Sequence, residues 1–527
     1  MKIHLIDNLS WMKNGMKRTI PTVAILMTTD LTLSLLSGYA QASGTTDKGG
    51  ELMKEIPIEK SNLIGTQTLS SPFNTLEIDN TYPTDETIQR LYEVRDVQRA
   101  VELYMWALPI VQFQAWKEGQ EEAVGEGGMM YSTFNEQASL VTANATTPYL
   151  MIWPDLNETG PMVVEMPAGQ YASAILDWWE YPVCDLGLSG PDKGKGGTYI
   201  IVGPEEDPEN YKDKADYVFQ SSTQKLFIGF RVLNPGEAAI KEFLSKVKIY
   251  PFGSEAKAPS FALKSDKTWD GNPPLGLDYF KMLHRAIQGE PVRDRDKAFM
   301  GWLYYLGIEN GKPFEPNEYQ TKVMAEGANL GELMGRANAM EPHFAEPYYE
   351  GTQWYRLIDF PIEQEDEVRY YIDERAMWFY EAVTTTKGMK TETPGIGQVY
   401  LSVKRDKDGN ILKGGEHYRL RVPPNAPFEQ FWSLTPYSEH TRGLIRSGIT
   451  ELIDANRDSR DERLKYNEDG SVDVYFGPNE SRVPTDRKAN WMKTNPGEGW
   501  FLWFRLYAPK KEFFDKSWVL NDIELLQ

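Results

Sequence analysis

The segment WFLWFRLYAP, residues 500–509, decides the fold class. Aromatic and aliphatic residues occupy most of its positions and alternate imperfectly, so a strand here would be buried on both faces, as inside a β-sandwich. The N-terminal half carries similar short runs bounded by Pro, Gly, Asn or Asp: YLMIW, PMVVEMP, YASAILDWW, TYIIVG and KLFIGFRVL. The pattern predicts antiparallel sheets in both halves of the chain.

Two turn sequences in the C-terminal half predict β-hairpins. DKDGN at residues 406–410 separates VYLSVKR from ILKGG, and NEDGS at residues 467–471 separates RLKY from VDVYFGP. In both, Asp-Gly supplies the positive φ that a tight turn requires. DKDGN superficially resembles a calcium loop, but its glycine spacing and the missing closing Glu favour the turn.

Helical spacing of apolar residues occurs before the first β runs and again in the middle of the chain. From Thr84, which is placed to cap a helix, apolar residues recur every three or four positions as far as Leu108. Pro109 and Gly119 are expected to interrupt this helix. Further helices are expected in three segments: 235–247, 278–308 and 319–340.

These patterns predict a mainly β fold with a helical middle segment, an α+β chain with two antiparallel β-sandwich or jelly-roll-like domains. The expected division is a helix plus β domain at residues 84–234, a helical connecting segment at 235–395 and a β-sandwich domain at 396–527. Residues 43–83 are expected to form a flexible leader.

The first 42 residues resemble an export signal. Lys17 and Arg18 precede a mostly apolar stretch, and AQA at residues 40–42 supplies the small-residue pattern of a signal-peptidase site. We expect cleavage after this site, a periplasmic or secreted location and no membrane span after processing, with Met16 as a second candidate start. An uncleaved anchor is the alternative, although the apolar stretch is shorter than the ~20 residues that span a bilayer.

Charge and composition exclude several classes of protein. The formal net charge is −21, so the surface repels phosphate backbones and anionic lipids, and no nucleic-acid partner is expected. Aromatic residues make up 12% of the chain and hydrophobic residues 41%, which excludes disorder for the body of the chain. Cys184 is the lone cysteine, so no intramolecular disulfide can form.

Four C-terminal strings carry a resemblance to a known family: FWSLTPY at 431–437, LKYNEDGSVDVYFGP at 464–478, ANWMKTNPGEGWFLWFRLYAP at 489–509 and DKSW at 515–518. They are similar to the runs typical of the domain-of-unknown-function family 1214. The N-terminal body resembles that family's usual partner, the domain-of-unknown-function family 1254, on three strings: AVELYMWALPIV at 100–111, TPYLMIWPDL at 147–156 and GGTYIIVGP at 196–204.

The resemblance implies two β-sandwich or jelly-roll-like domains, export and self-association into a homo-oligomer, but no agreed reaction. The N-terminal family commonly carries a PNNDT-x-Y string. Here TANATTPY at residues 142–149 keeps Asn144, Thr147 and Tyr149 but lacks the Asp. A cation or substrate bound through that Asp in relatives would not be held in the same way by this chain.

Standard catalytic signatures are missing from the sequence, which has no GxSxG elbow, HExxH, Walker loop or CxxC. Among the few histidines, His440 is best placed, because its string PYSEHTRG follows an apolar strand. With Glu439 and Arg442 it offers an acid/base group, a carboxylate and a guanidinium that could bind and cleave an anionic ester. A solvated polar loop is the alternative.

The string ILDWWEYPVCD supplies a second cluster. At strand spacing, Asp177 and Trp179 would share one face, and Trp178 and Glu180 the other. Tryptophans beside carboxylates can form sugar-stacking platforms or cation cages. We expect Asp177 to be catalytic. Substrate binding is expected from four residues: Trp178, Trp179, Tyr149 and Glu439. Packing of the Trp pair beneath the helical segment is the alternative.

Two functions therefore remain open. The first is a periplasmic hydrolase of small anionic or glycan-linked esters, with His440, Arg442 and Asp177 around a pocket between the domains. The second is a non-catalytic module that binds a carbohydrate or lipid-like ligand through Trp178 and Trp179. A small-molecule or glycan ligand is expected in either case, and the sequence identifies no cofactor or metal.

Overall fold

The computed structural model describes residues 63, 65–71, 74–125, 129–132, 138–144, 149–233, 237–258, 261–262, 269–446 and 455–527. The expected signal peptide, residues 1–42, lies outside the described residues, as do Thr147 and much of the expected leader. By its contacts the chain divides into two compact units, Met1–Ile88 and Gln89–Gln527.

In the first unit, the described residues form a small antiparallel sheet of β1 (Gln67–Ser71), β2 (Asn74–Asp79) and β3 (Tyr82–Pro83). Helix α1 (Asp85–Val124) begins after this sheet. The Thr84 hydroxyl accepts a hydrogen bond from the Thr87 amide at 3.3 Å, so the predicted cap is confirmed.

The second unit opens with two sheets that pack face to face. The larger has the order β14-β4-β6-β12-β8-β9 and the smaller the order β11-β10-β7-β13, and most neighbours are antiparallel. Facing side chains such as Val164, Ile175, Tyr199 and Ile228 form the core between them. The elements are β4 (Met129–Ser132), β5 (Ala138–Ser139), β6 (Tyr149–Ile152), α2 (Leu156–Thr159), β7 (Met162–Met166), β8 (Ala172–Asp177), β9 (Pro182–Gly187), β10 (Gly197–Val202), β11 (Tyr217–Gln220), β12 (Leu226–Arg231), α3 (Glu237–Lys246), β13 (Lys248–Pro251), β14 (Phe261–Ala262) and β15 (Trp269–Asp270).

The middle of the chain is helical, as the spacing of apolar residues predicts. The longest helix here starts with a capping box, in which Asn317 and Gln320 exchange hydrogen bonds between side chain and main chain. The elements are α4 (Leu277–Ile287), α5 (Lys297–Tyr305), α6 (Glu318–Met340), β16 (Tyr355–Arg356) and α7 (Ile372–Glu381).

The expected interruption of α1 is wrong, because the helix continues through both Pro109 and Gly119. Proline removes one main-chain donor, but tertiary contacts stabilise the turn before it: the Tyr279 hydroxyl donates to the Tyr104 carbonyl at 2.6 Å, and a neighbouring carbonyl accepts from Arg375. Gly119 lets α1 lie close to β15, since a Cβ at this position would be 2.4 Å from a main-chain oxygen of that strand.

The C-terminal part is a second sandwich of two sheets, with the orders β16-β17-β23-β19-β20 and β22-β21-β18-β24. Side chains such as Leu420, Leu434, Val474 and Phe504 fill the space between the sheets. The elements are β17 (Gln398–Val403), β18 (Tyr418–Val422), β19 (Phe428–Ser438), β20 (Arg457–Asp458), β21 (Val472–Gly477), β22 (Trp491–Lys493), β23 (Trp500–Pro509), α8 (Lys511–Phe514) and β24 (Glu524–Leu525).

Both predicted Asp-Gly turns form, but the flanking runs ILKGG and RLKY are not strands, so neither turn joins a full hairpin. Gly409 and Gly470 have φ values of 83° and 81°, which only glycine adopts without strain. Isolated antiparallel bridges close the turns between Arg405 and Ile411, and between residues 466 and 472. DKDGN therefore forms a turn, whose Asp406 carboxylate accepts from main-chain amides within the loop.

A third core joins the two sandwiches through the helices. Phe113 of α1 packs in one cluster with Leu176 and Phe227 from the larger N-terminal sheet and with Phe501 and Trp503 from β23. Each of these sheets is therefore buried on both faces, and the mainly β fold with a helical middle segment is confirmed. Among the described helices, none has the length and apolar character needed to cross a bilayer.

Glu290, which follows α4, gives a pH-dependent contribution to stability. Its carboxylate accepts from the amides of Gln224 and Lys225 at 2.8 and 3.0 Å, just before β12. Burial raises the pKa of Glu290 to about 7. The folded state therefore favours the protonated carboxyl, so its contribution is complete below the unfolded pKa near ~4.3 and is lost as the pH rises to about 7.

We expect the free energy of unfolding of the wild type, relative to Glu290→Gln, to fall by up to about 3 kcal/mol between pH 4 and pH 8. Glutamine has a similar shape but does not titrate, so the difference isolates this carboxyl. Urea unfolding of both proteins across this pH range measures it. Parallel pH profiles for the two proteins would contradict the shifted pKa.

Candidate functional site

A cavity lies where the larger N-terminal sheet meets the C-terminal sheet that contains β17 and β23. Its walls come from β6, β8 and β12, from β17 and β23, and from residues 382–389 after α7, and it holds about 130 Å³. Strand alternation decides which side chains reach it. Phe227, Gly229 and Arg231 share the cavity face of β12, while Ile228 faces the sandwich core.

Two buried arginines line this cavity. Arg231 stands opposite Tyr149 in the pairing of β12 with β6, and Arg505 stands opposite Tyr400 in the pairing of β23 with β17. Their exposed fractions are 9% and 2%. Because directly paired residues project to the same face of a sheet, each guanidinium lies beside a tyrosine at the cavity wall.

Both guanidinium groups are oriented by neutral partners. Arg505 donates to the Thr435 hydroxyl at 3.0 Å and to the Tyr437 hydroxyl at 2.7 Å. The Nη1 and Nη2 atoms of Arg231 lie 3.2 and 2.6 Å from the amide oxygen of Gln398, in the amide orientation that also lets its nitrogen donate to Tyr400. These contacts fix the orientation of both guanidinium groups but do not neutralise their positive charge.

The described lining of the cavity carries positive charge but no negative charge. Neither Arg231 nor Arg505 forms an ion pair with a carboxylate there, and the described lining residues include no Asp, Glu, His, Lys or Cys. Burial raises the pKa of Tyr400 and that of Tyr437, so both phenols are neutral at pH 7. A guanidinium stays charged up to about pH 12.

Two polar atoms at the cavity lack hydrogen-bond partners among the described residues: Nε of Arg231 and the hydroxyl of Ser173. Buried polar atoms without a partner are rare. Arg375 and Arg457, which are buried away from the cavity, donate to the main-chain carbonyls of Trp106 and Trp491 at 2.7 and 2.6 Å. Arg231 thus keeps a donor that a ligand could use.

Glu180 ties the cavity segment 382–389 to the turn after β8. Its carboxylate accepts from the Thr384 amide, and its main-chain carbonyl accepts from the Thr385 hydroxyl at 2.7 Å. Glu180 is fully buried with a φ of 63°, and burial raises its pKa well above the usual range. A strained, desolvated residue is retained here by the contacts that position the cavity wall.

Of the residues predicted to bind substrate, Tyr149 lines the cavity, whereas the two tryptophans belong to the central core. Strand β8 ends at Asp177, so residues 178–180 form a turn and the expected two-face alternation is wrong. Trp178 is fully buried with its ring 5.8 Å from that of Phe113, and Trp179 is 4% exposed. Their faces pack against other side chains and offer no open platform.

Asp177 organises this turn and is outside the cavity lining. Its carboxylate accepts from the amides of Trp179 and Tyr181 at 2.8 and 3.0 Å and from the Ser222 hydroxyl at 2.5 Å. Arg293 lies 3.5 Å away. Burial raises the pKa of Asp177, against the effect of Arg293 and these hydrogen bonds.

The predicted cluster at residues 439–442 lies in the C-terminal half of the chain, and its members differ in burial. The His440 ring is exposed and makes no hydrogen bond or ion pair to the described residues. Glu439 lies 3.1 Å from Lys404. Arg442 is buried over the Tyr380 ring and donates to its carbonyl at 2.8 Å. Its own carbonyl accepts from the amide of residue 142, a lining residue, so it supports the cavity wall indirectly.

Two family models match the chain. Residues 128–251 match the protein of unknown function DUF1254, and residues 397–511 match the protein of unknown function DUF1214. The chain carries both segments. The resemblance expected from the sequence strings is confirmed, and the cavity is built by both: Tyr149 and Arg231 come from the DUF1254 segment, and Gln398 and Arg505 from the DUF1214 segment.

Two solved structures resemble the chain at low identity. The VPA0106 protein from Vibrio parahaemolyticus is 17% identical with a TM-score of 0.49, and the match covers 82% of this chain and 100% of that chain. An uncharacterized protein from Burkholderia cenocepacia is 13% identical with a TM-score of 0.39, over 84% of this chain and 91% of that chain. A comparison with curated proteins finds no match.

Sequence reasoning missed Arg231, Arg505, Gln398 and Ser173. A usable signal was present, because KLFIGFRVL and WFLWFRLY each place one arginine inside an apolar strand. A charged residue is rarely buried unless it is paired or functional. The polar residues at a strand end, His440 and its neighbours, were the more conspicuous but misleading signal.

We expect Trp178→Ala to lower the free energy of unfolding by about 3–5 kcal/mol, because it empties a packed position in the central core. His440→Ala serves as the contrast and should change stability by no more than about 0.5 kcal/mol, since the ring is exposed. Urea unfolding measures both. Equal, small effects would mean that Trp178 does not pack as described.

Proposed function

We propose that this protein binds a small organic anion in the cavity between its DUF1254 and DUF1214 segments. The observation that carries the proposal is the pair of buried arginines, Arg231 and Arg505, which line one cavity without a carboxylate partner in the described residues. A buried charge without a counter-ion is costly. An anionic ligand would supply the missing charge and use the planar fork of a guanidinium.

Of the two functions expected from the sequence, binding fits the cavity better than hydrolysis. The described lining residues offer hydroxyl groups but no carboxylate, imidazole, thiol or amine to act as a general base. His440 and Asp177 are outside this lining. The ligand differs from the expected carbohydrate or lipid, because the charge favours an acid and the tryptophans expected to hold a glycan are buried.

Export and self-association complete the proposal. The basic start, apolar stretch and AQA site within residues 1–42 support transport to the periplasm or beyond. The resemblance to DUF1254 and DUF1214 supports a homo-oligomer. A binding protein in that location would meet small acids from outside the cell.

Calorimetric titration of the purified protein at pH 7 with sodium benzoate and sodium hexanoate, and with the matching neutral amides, tests the function. We expect binding of at least one carboxylate and none of its amide. Arg231→Met and Arg505→Met should each weaken binding by about 10- to 100-fold, the effect of losing a charge-assisted hydrogen bond. Arg231→Lys keeps the charge but loses the fork, so it should fall between Arg231→Met and the wild type.

Arg482→Met is the matched control, because Arg482 is exposed and lies outside the cavity lining. It should bind like the wild type. Unfolding midpoints identify any variant that has lost its fold. If Arg231→Met does not fold, Arg231→Lys still tests whether the guanidinium contributes to binding. The proposal fails if carboxylates and amides bind alike, or if removing either cavity arginine leaves the dissociation constant unchanged.

A further inference from the structure

We infer that the anion is a single six-membered aromatic ring bearing one acidic group, as in an aromatic monocarboxylate. This inference rests on the proposed anion binding and adds the shape and the charge of the ligand. Three features of the cavity carry it: its volume, its aromatic wall and the distribution of charge around it.

The volume fits one ring. The cavity holds about 130 Å³, and an engineered apolar cavity of about 150 Å³ in another protein binds benzene. One ring with a carboxylate among the arginines therefore matches this volume, whereas a fused second ring exceeds it.

The apolar wall is built largely from aromatic rings. Trp378 and Trp503 stack with centroids 5.7 Å apart and an angle of 26°, and Trp116 lies 5.1 Å from Phe227. All four line the cavity. Aromatic rings pair favourably in stacked or edge-to-face arrangements, beyond their buried area, so a planar aromatic ligand gains more here than a flexible chain.

The charge around the cavity favours one acidic group. Arg231 and Arg505 both lie near Tyr400, so the positive charge is concentrated on one side of the lining. Asp185, which is 7% exposed, lies next to the lining residue Ser189. A second carboxylate placed away from Tyr400 would have no arginine beside it, and one near Ser189 would approach the Asp185 carboxyl.

The test compares ligands by calorimetric titration at pH 7: benzoate, cyclohexanecarboxylate, hexanoate, 2-naphthoate and terephthalate. Benzoate should bind at least ten times more tightly than each of the others. If hexanoate or cyclohexanecarboxylate binds as tightly as benzoate, the aromatic inference is wrong while anion binding stands. If no carboxylate binds, the proposed function itself fails.

A change in cavity size gives an independent test. Met389 lines the cavity from the segment after α7. Met389→Ala should enlarge the space, so 2-naphthoate should bind at least ten times more tightly than to the wild type, and benzoate more weakly. Met334→Ala, which truncates a methionine that is 44% exposed on α6, is the control and should change neither affinity. Unchanged naphthoate affinity in Met389→Ala would overturn the size argument.

Discussion

The structure depends on two sheets that are each buried on both faces. One face of each sheet packs against its own partner sheet, and the other packs against a shared core in which Phe113 of α1 meets Phe227 and Trp503. Because both faces are covered, a polar side chain on either face must be paired, or must line an internal space. Arg231 and Arg505 are the second case, because they line the cavity.

The buried charges follow two different rules. Lys404 pairs with Glu381 inside the protein, so its charge is balanced by a neighbouring residue. The cavity arginines have only neutral hydrogen-bond acceptors, such as Thr435 and Gln398, among their described partners. Arg375 and Arg442 likewise form no ion pair with a described carboxylate, but they donate to main-chain carbonyls. Arg231 and Arg505 instead line the cavity where we propose that a ligand binds. The two segments contribute one arginine each, and Gln398 of the C-terminal segment orients Arg231 of the N-terminal one.

Much of the fold could be predicted because its signals are local. Period-two runs bounded by turn residues gave the strands, and Gly409 and Gly470 marked tight turns, since positive φ is a property of the single residue. The continuation of α1 through Pro109 could not be predicted. It depends on Tyr279 and Arg375, which are distant in sequence and stabilise the turn before the proline.

The sequence by itself determined most of the strands, the helix cap at Thr84, the Asp-Gly turns and the pairing of a DUF1254 segment with a DUF1214 segment, because these follow from neighbouring residues and short strings. It did not determine the small sheet within residues 67–83, where a flexible leader was expected. Only the tertiary structure decided the site. The polar strings around Asp177 and His440 look functional in one dimension, yet one organises a turn and the other includes an exposed ring. Arg231 and Arg505 line one cavity because cross-strand pairing and sheet packing bring distant segments together, and no local pattern encodes that arrangement.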